Sequence, residues 1–98
     1  MEICSEKQVK AVTKKLKVPN KKGLHAAVAN LICQTVGKHD AKVVIEKDGN
    51  CADASSILDI LTLGAQVDTE VIIRAEGKDA RKVIRELERL FKERFGEE

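Results

Sequence analysis

The chain has 98 residues, of which 43% are hydrophobic, and it contains neither Trp nor Tyr. This length fits one domain with its own core, and the lack of these aromatics leaves no platform for stacking bases or sugars. The N-terminus has no long apolar run, so we expect a cytoplasmic protein without membrane insertion. Cys4, Cys33 and Cys51 are too widely spaced for a metal-ligand pattern; we expect reduced, mostly buried thiols and neither metal nor cofactor.

Charge is unevenly distributed along the chain, although the net charge is only +2. Residues 1–22 hold seven lysines and two glutamates, a balance of +5, and residues 23–77 have a balance of −4. The basic stretch ends in Lys21 and Lys22, which suit either an anion-binding site or a solvated strand edge that discourages aggregation. This stretch has no arginine cluster and no aromatics, so we expect no nucleic-acid partner.

The N-terminal third of the chain predicts a strand followed by a helix. Alternation of apolar and polar residues predicts a strand over 12–18, after a polar extension at 1–11. Beyond a loop that contains Pro and Gly, apolar positions at helical spacing predict a helix. This helix begins at His25 or the next residue and runs to Val36, with Gly37 as its stop.

The middle of the chain predicts a hairpin and a short helix. The Asp-Gly dipeptide at 48–49 suits a type I′ turn and predicts paired strands at 42–47 and 50–53. Ser56 and Asp59 fit a capping box, in which the serine caps a helix to about Leu63 and the aspartate reaches back to it.

The last part of the chain predicts a strand over 70–76 and then the longest helix, which follows Gly77. Opposite charges four residues apart on this helix predict three ion pairs, Lys82–Glu86, Glu88–Lys92 and Arg89–Glu93. The order β-α-β-β-α-β-α predicts an α+β fold, with one antiparallel sheet and the helices on one of its faces. We expect a single folding unit over 12–95 and a tail at 96–98.

His25 is the candidate reactive residue, because it lies between a glycine-containing loop and a helix start. The first N–H groups of a helix have no intrahelical partner, and the helix dipole stabilises an anion there by about 0.3–1 kcal/mol. A histidine in this place can accept a phosphoryl group on a ring nitrogen, with its oxygens received by those N–H groups. A capping or surface histidine suits the same position. His39 has no motif around it and is expected to be an exposed loop residue.

Several segments together resemble one protein family. Gly23-Leu24-His25-Ala26 resembles the active-site motif of HPr, the histidine-containing phosphocarrier of the sugar phosphotransferase system, and Asn20-Lys21-Lys22 looks like the loop leading into it. Residues 56–64 are similar to the regulatory-serine helix of the family, and residues 75–77 to the segment before its last helix. The matches keep the family's order and spacing from residue 12 to about residue 95.

The resemblance implies an open-faced β-sandwich of four antiparallel strands with three helices on one face, in agreement with the predicted order. It also implies a phosphocarrier rather than a free-standing enzyme. His25 would take a phosphoryl group from phosphorylated Enzyme I and pass it to a sugar-permease component, and the protein would act as a monomer. Beside the resemblance, we expect Ala26 and Ala27 to bind the phosphate through their backbone N–H groups and Lys21 and Lys22 to supply positive charge from the loop. Ser56 takes the place of a serine that a kinase modifies in some bacteria.

The chain departs from the family at the two positions after Ala26. The family motif continues with Arg and Pro, whereas this chain has Ala27 and Val28. The arginine helps to bind the phosphate, and a charge-assisted hydrogen bond of this kind is worth roughly 1.5–3 kcal/mol. Two hypotheses remain: a working carrier with a weakened site, or a regulatory module that docks without efficient phosphorylation. Apolar docking candidates are Leu58, Leu61 and Leu63, whose alternative role is core packing.

Overall fold

A computed structural model describes residues 11–96. The strands are β1 (Val12–Lys17), β2 (Lys42–Lys47), β3 (Asn50–Asp53) and β4 (Glu70–Glu76). The helices are α1 (Ala26–Gly37), α2 (Ile57–Thr62) and α3 (Ala80–Lys92), followed by a 3₁₀ turn at Arg94–Gly96. The predicted α+β class and element order are therefore confirmed. The predicted extension at 1–11 lies outside the described residues, apart from Ala11.

The four strands form one antiparallel sheet in the spatial order β1-β4-β2-β3. The last strand in sequence, β4, thus lies inside the sheet, between the first and the second. Every second residue of β4 is buried, namely Val71, Ile73 and Ala75, and this row meets the buried row of β2. All three helices pack on the face where these rows lie, because the fully buried apolar residues of the sheet are there.

Each helix contributes a buried stripe to this single core. The stripe of α1 includes Val28 and Ile32, and that of α3 includes Val83 and Leu87, all of them fully buried. Phe91 and Phe95 stack edge to face with ring centroids 4.8 Å apart, which closes the core at the end of α3. Both aromatic rings of the chain are therefore structural.

Two predicted boundaries differ slightly from the structure. The helix α1 includes Gly37, which was predicted as its stop, and Lys38 is the C-cap residue with a right-handed backbone. The strand β1 ends at Lys17, one residue before the predicted end, and Val18 is fully buried beyond it. The turn at Asp48 and Gly49 has positive φ at both residues, as the predicted type I′ geometry requires.

The carboxylates of Glu86 and Glu88 on α3 lie beside groups of other elements rather than beside cations of their own helix. Glu86 Oε2 lies 3.3 Å from His39 Nε2, and Glu88 Oε2 lies 3.3 Å from Lys14 Nζ on β1. Within residues 11–96, none of the three predicted i,i+4 ion pairs forms; Glu86 and Glu88 turn towards other elements, and nothing in the structure explains the absence of the Arg89–Glu93 pair. The prediction of an exposed His39 is also wrong, since only 11% of its side chain is exposed.

The cysteines differ from the expected set of reduced, mostly buried thiols. Cys33 is free and half-buried on α1. Cys51 is exposed on β3 and is disulfide-bonded, so the expectation is wrong at this position. Cys4 lies outside the described residues. Residues 11–96 include no helix that is long and apolar enough to cross a membrane, and no cluster of side chains there could hold a metal ion.

Candidate functional site

The loop before His25 is held by a close contact with the segment after α2. Leu24 N–H donates to the Ala65 carbonyl at 3.0 Å. A Cβ on Gly23 would lie only 2.4 Å from that same oxygen, and the residue has a φ of +70°. Only glycine fits this combination of backbone angle and space. The loop therefore has one fixed position relative to the end of α2.

Asn20 fixes the other side of the loop. It is fully buried, and its Nδ2 donates to the Gly23 carbonyl at 2.8 Å, while Gly23 N–H returns to the Asn20 carbonyl at 3.1 Å. This support of the loop by the Asn20 side chain was not predicted from the motif. An asparagine three residues before a glycine in a loop is a signal for such a side-chain-supported turn.

His25 is the N-cap residue of α1. Its backbone is extended, with φ −88° and ψ −176°, and its carbonyl accepts the first helical hydrogen bond from Ala29 at 2.8 Å. Its ring reaches back over the helix start, so that Nδ1 accepts a hydrogen bond from Ala27 N–H at 3.3 Å. As the acceptor of this hydrogen bond, Nδ1 is the ring nitrogen that lies at the helix start.

The helix residues around Nδ1 have small, exposed side chains. Ala26 and Ala27 are both exposed, and Val28 is fully buried in the core. The N–H groups of the first turn therefore face outward without a bulky side chain above them. Lys21 and Lys22 are exposed on the turn before Gly23, and within residues 11–96 neither forms an ion pair.

Ser56 caps the second helix, as predicted, but only half of the capping box forms. Ser56 Oγ accepts from Asp59 N–H at 3.2 Å. The Asp59 carboxylate does not accept the second hydrogen bond of the box from Ser56 N–H. It accepts a hydrogen bond from Asp53 N–H at 3.2 Å instead. Hydrogen bonds from the Ser55 hydroxyl and its backbone N–H hold the pKa of Asp53 below its usual range. The start of α2 is thus tied to the end of β3.

We predict that Ser56→Ala lowers the free energy of unfolding by about 0.5–2 kcal/mol, because Asp59 N–H loses its acceptor. Urea denaturation measures the change. Ser56→Asp is the matched control, since it keeps an acceptor at the cap and should unfold near the wild-type midpoint. Equal destabilisation by both variants would contradict a capping role.

The apolar residues of α2 and its following loop divide between surface and core. Leu58 is 74% exposed, and Ile57 and Val67 are also exposed. Leu61 is half-buried and Leu63 is buried, so of the three predicted docking leucines only Leu58 is fully available. We call Ile57, Leu58 and Val67 the α2 surface. Because α2 packs against α1 and the loop of His25 is fixed to Ala65, this surface has a defined position relative to the site.

Cys33 lies on α1 but does not compete with His25 as a nucleophile. Burial raises the pKa of its thiol, and the charge of Asp53 raises this pKa further. The thiol is thus kept protonated, and a protonated thiol is a poor nucleophile.

Comparison with known proteins agrees with this geometry. A family model described as the PTS HPr component phosphorylation site matches residues 12–93. The phosphocarrier protein HPr of Treponema pallidum is 33% identical over 87 residues, which cover 89% of this chain and 99% of that protein. The HPr-like protein Crh of Bacillus subtilis is 34% identical over 76 residues, which cover 78% of this chain and 89% of Crh.

The solved structures give the same result. The crystal structure of HPr-C-His from Thermoanaerobacter tengcongensis is 39% identical, with a TM-score of 0.83, and the match covers 92% of this chain and 99% of that one. The fold and the helix-capping histidine define a protein of the phosphocarrier class. The chain belongs to the HPr family, as the resemblance of its motifs predicted.

Proposed function

We propose that this chain carries a phosphoryl group on Nδ1 of His25, taking it from phosphorylated Enzyme I and passing it to a sugar-permease component. The observation that supports this most directly is the hydrogen bond from Ala27 N–H to Nδ1, which places this ring nitrogen at the helix start. Membership of the HPr family supports the same donor and acceptor.

In the proposed transfer step, Nδ1 of His25 first gives up its hydrogen bond from Ala27 N–H. The Nδ1 lone pair forms the new bond to phosphorus, and the bond between phosphorus and its leaving group on the donor breaks. Once Nδ1 is phosphorylated it no longer accepts from Ala27 N–H, and that N–H can donate to a phosphoryl oxygen instead, together with Ala26 N–H. The helix dipole stabilises the added negative charge by about 0.3–1 kcal/mol.

Lys21 and Lys22 are the cationic side chains that we propose beside the phosphate. They lie on the turn that Asn20 and Gly23 hold in place, and both are exposed. An ammonium group attracts the phosphate as a point charge but does not reproduce the planar fork of an arginine. The site is therefore complete at its nucleophile and weakly charged around it.

The partner proteins are proposed to dock on the α2 surface. Leu58 is the most exposed large apolar residue among those described, and an exposed apolar side chain beside a reactive group suits a transient protein contact. Since one chain supplies His25, the N–H groups and the α2 surface, we propose that the carrier works as a monomer. Ser56 Oγ, at the start of the same helix, is the proposed target of a protein kinase.

We predict that incubation with phosphoenolpyruvate and Enzyme I adds one phosphoryl group to the chain, and that His25→Ala abolishes this addition. Intact-mass spectrometry measures the gain, which should be lost in acid because it is a phosphoramidate. His39→Gln is the matched control, since it removes the other histidine and leaves the site untouched. A wild type that remains unlabelled beside a labelled conventional HPr would overturn the proposal.

A second candidate function is a regulatory module that docks without efficient phosphorylation. Ala27, where the family has an arginine, favours it, and the similarity to the HPr-like protein Crh agrees. The two functions differ in their dependence on His25. The regulatory module predicts that Enzyme I does not label the wild-type chain. It also predicts that partner binding survives His25→Ala and is lost in Leu58→Asp.

A further inference from the structure

The solvent-facing side of α3 is a continuous line of cations. We call the five exposed basic residues on this side the α3 ridge: Arg81, Lys82, Arg85, Arg89 and Lys92. Its three arginines are spaced four residues apart, so they follow each other at about 6 Å along the helix axis. Within residues 11–96, no member of the ridge forms an ion pair.

The acidic residues near the ridge are mostly engaged elsewhere. Glu86 and Glu88 lie at its two borders and turn away, towards His39 on one side and Lys14 on the other. Asp79, at the start of α3, accepts from Asp40 N–H at 2.7 Å; this hydrogen bond is the main cause of its lowered pKa, and the charge of Lys82 at the N-terminal end of the ridge lowers the pKa further. Glu93, exposed at the C-terminal end of the ridge, is the remaining acid of the helix. The middle of the ridge therefore presents positive charge alone.

The chemistry of the ridge suits a nucleic-acid partner, a polymer of phosphodiesters, better than a protein partner. The apolar residues of α3 are buried in the core, or half-buried in the case of Leu90, so the ridge offers no apolar centre of the kind found in protein–protein interfaces. Interfaces with nucleic acid, by contrast, are polar and strongly basic. The guanidinium fork of arginine also matches the geometry of a phosphate group.

The form of the nucleic acid follows from what the ridge lacks. Phe91 and Phe95 are buried, and the chain has no Trp or Tyr, so no aromatic side chain is available to stack unpaired bases. A duplex keeps its bases stacked internally and presents one negative charge per about 1.7 Å of its axis. The ridge therefore fits the backbone of a duplex better than a single strand.

We propose that the α3 ridge binds the phosphate backbone of double-stranded nucleic acid without sequence preference. The ridge is a different surface from the lysines near the N-terminus, which have no arginines or aromatics beside them in the sequence. It presents positive charge because Glu86 and Glu88 turn away towards other elements.

Fluorescence anisotropy with a labelled mixed-sequence DNA duplex of about 30 bp, titrated between about 50 and 200 mM salt, tests the proposal. If all five cations contact phosphates, log K should fall with log salt with a slope of up to about −4.5. The triple variant Arg81→Gln, Arg85→Gln, Arg89→Gln should weaken binding at least about tenfold at the lowest salt and reduce the slope by about 2.7.

The matched control removes three exposed lysines from β1 and β2, through Lys15→Gln, Lys17→Gln and Lys42→Gln. It changes the net charge equally and should leave binding within about twofold of the wild type, because it leaves the ridge intact. Equal weakening by both triple variants would mean that net charge alone attracts the duplex. Tighter binding to poly-glutamate, or to vesicles rich in anionic lipid, would assign the ridge to an acidic protein or to a membrane. Any of these three outcomes overturns the proposal.

Discussion

Replacement of Ala27 by arginine is expected to accelerate phosphoryl transfer to His25 by about 10- to 150-fold. Ala27 is exposed in the first turn of α1, and its own N–H donates to Nδ1, so a longer side chain there extends beside the phosphate. A guanidinium that binds the transferring group contributes roughly 1.5–3 kcal/mol, which sets the size of the acceleration. A cation at a helix N-terminus costs about 0.3–1 kcal/mol of stability, which is a smaller effect.

Rapid-quench labelling from phosphorylated Enzyme I measures the rate for each variant. Ala27→Gln is the matched control, because it adds a polar side chain of similar reach without charge, and we expect it to leave the rate within about threefold of wild type. Ala27→Lys should fall between the two. An arginine variant that is no faster than the glutamine variant would show that transfer does not depend on a cation at this position.

Replacement of Gly23 by alanine is expected to lower the free energy of unfolding by about 2–5 kcal/mol or more and to abolish labelling of His25. The left-handed backbone costs a residue with a Cβ about 1–2 kcal/mol, and forcing atoms into occupied space costs about 1–3 kcal/mol or more. The Cβ would meet Ala65 O at 2.4 Å and Gln66 Cα at 2.9 Å, both of them backbone atoms that cannot move aside alone.

Gly64→Ala separates the two contributions. Gly64 has a similar φ of +61°, but a Cβ there would meet no atom within 4 Å. This control should lose only the conformational part, about 1–2 kcal/mol, and should still be labelled on His25. Chemical denaturation and intact-mass spectrometry measure both effects. If the two glycine variants lose the same free energy of unfolding, the close contact between the loop and Ala65 contributes nothing to the effect of Gly23→Ala.

The order of elements and most of their bounds could be predicted because each depends on local patterns. The alternation in 70–76 and the Asp-Gly turn at 48–49 each specify a structure from a few adjacent residues, and the observed strands agree. The position of His25 at a helix start was predictable in the same way, from a glycine-containing loop followed by helical spacing. The family was predictable because several motifs occur at fixed separations.

The remaining features depend on contacts between distant residues, which no local pattern contains. Glu86 and Glu88 have suitable partners four residues away, yet they lie beside His39 and Lys14 because packing brings these groups nearer. The orientation of Leu58 depends on how a helix of six residues lies against α1. Likewise, the need for glycine at position 23 arises from Ala65, which is 42 residues further along the chain.

The interior position of β4 also constrains how the chain folds during synthesis. Its neighbours β1 and β2 both pair with it, whereas β2 and β3 form the only pairing between strands adjacent in sequence within residues 11–96. Partners such as Leu16 and Val71 are separated by 55 residues, so their pairing closes a long loop and is slow to form. Until β4 leaves the ribosome, the nascent chain can form α1, α2 and one hairpin, but β1 has no partner strand. The helix start that carries His25 is therefore translated well before the sheet that supports it can close.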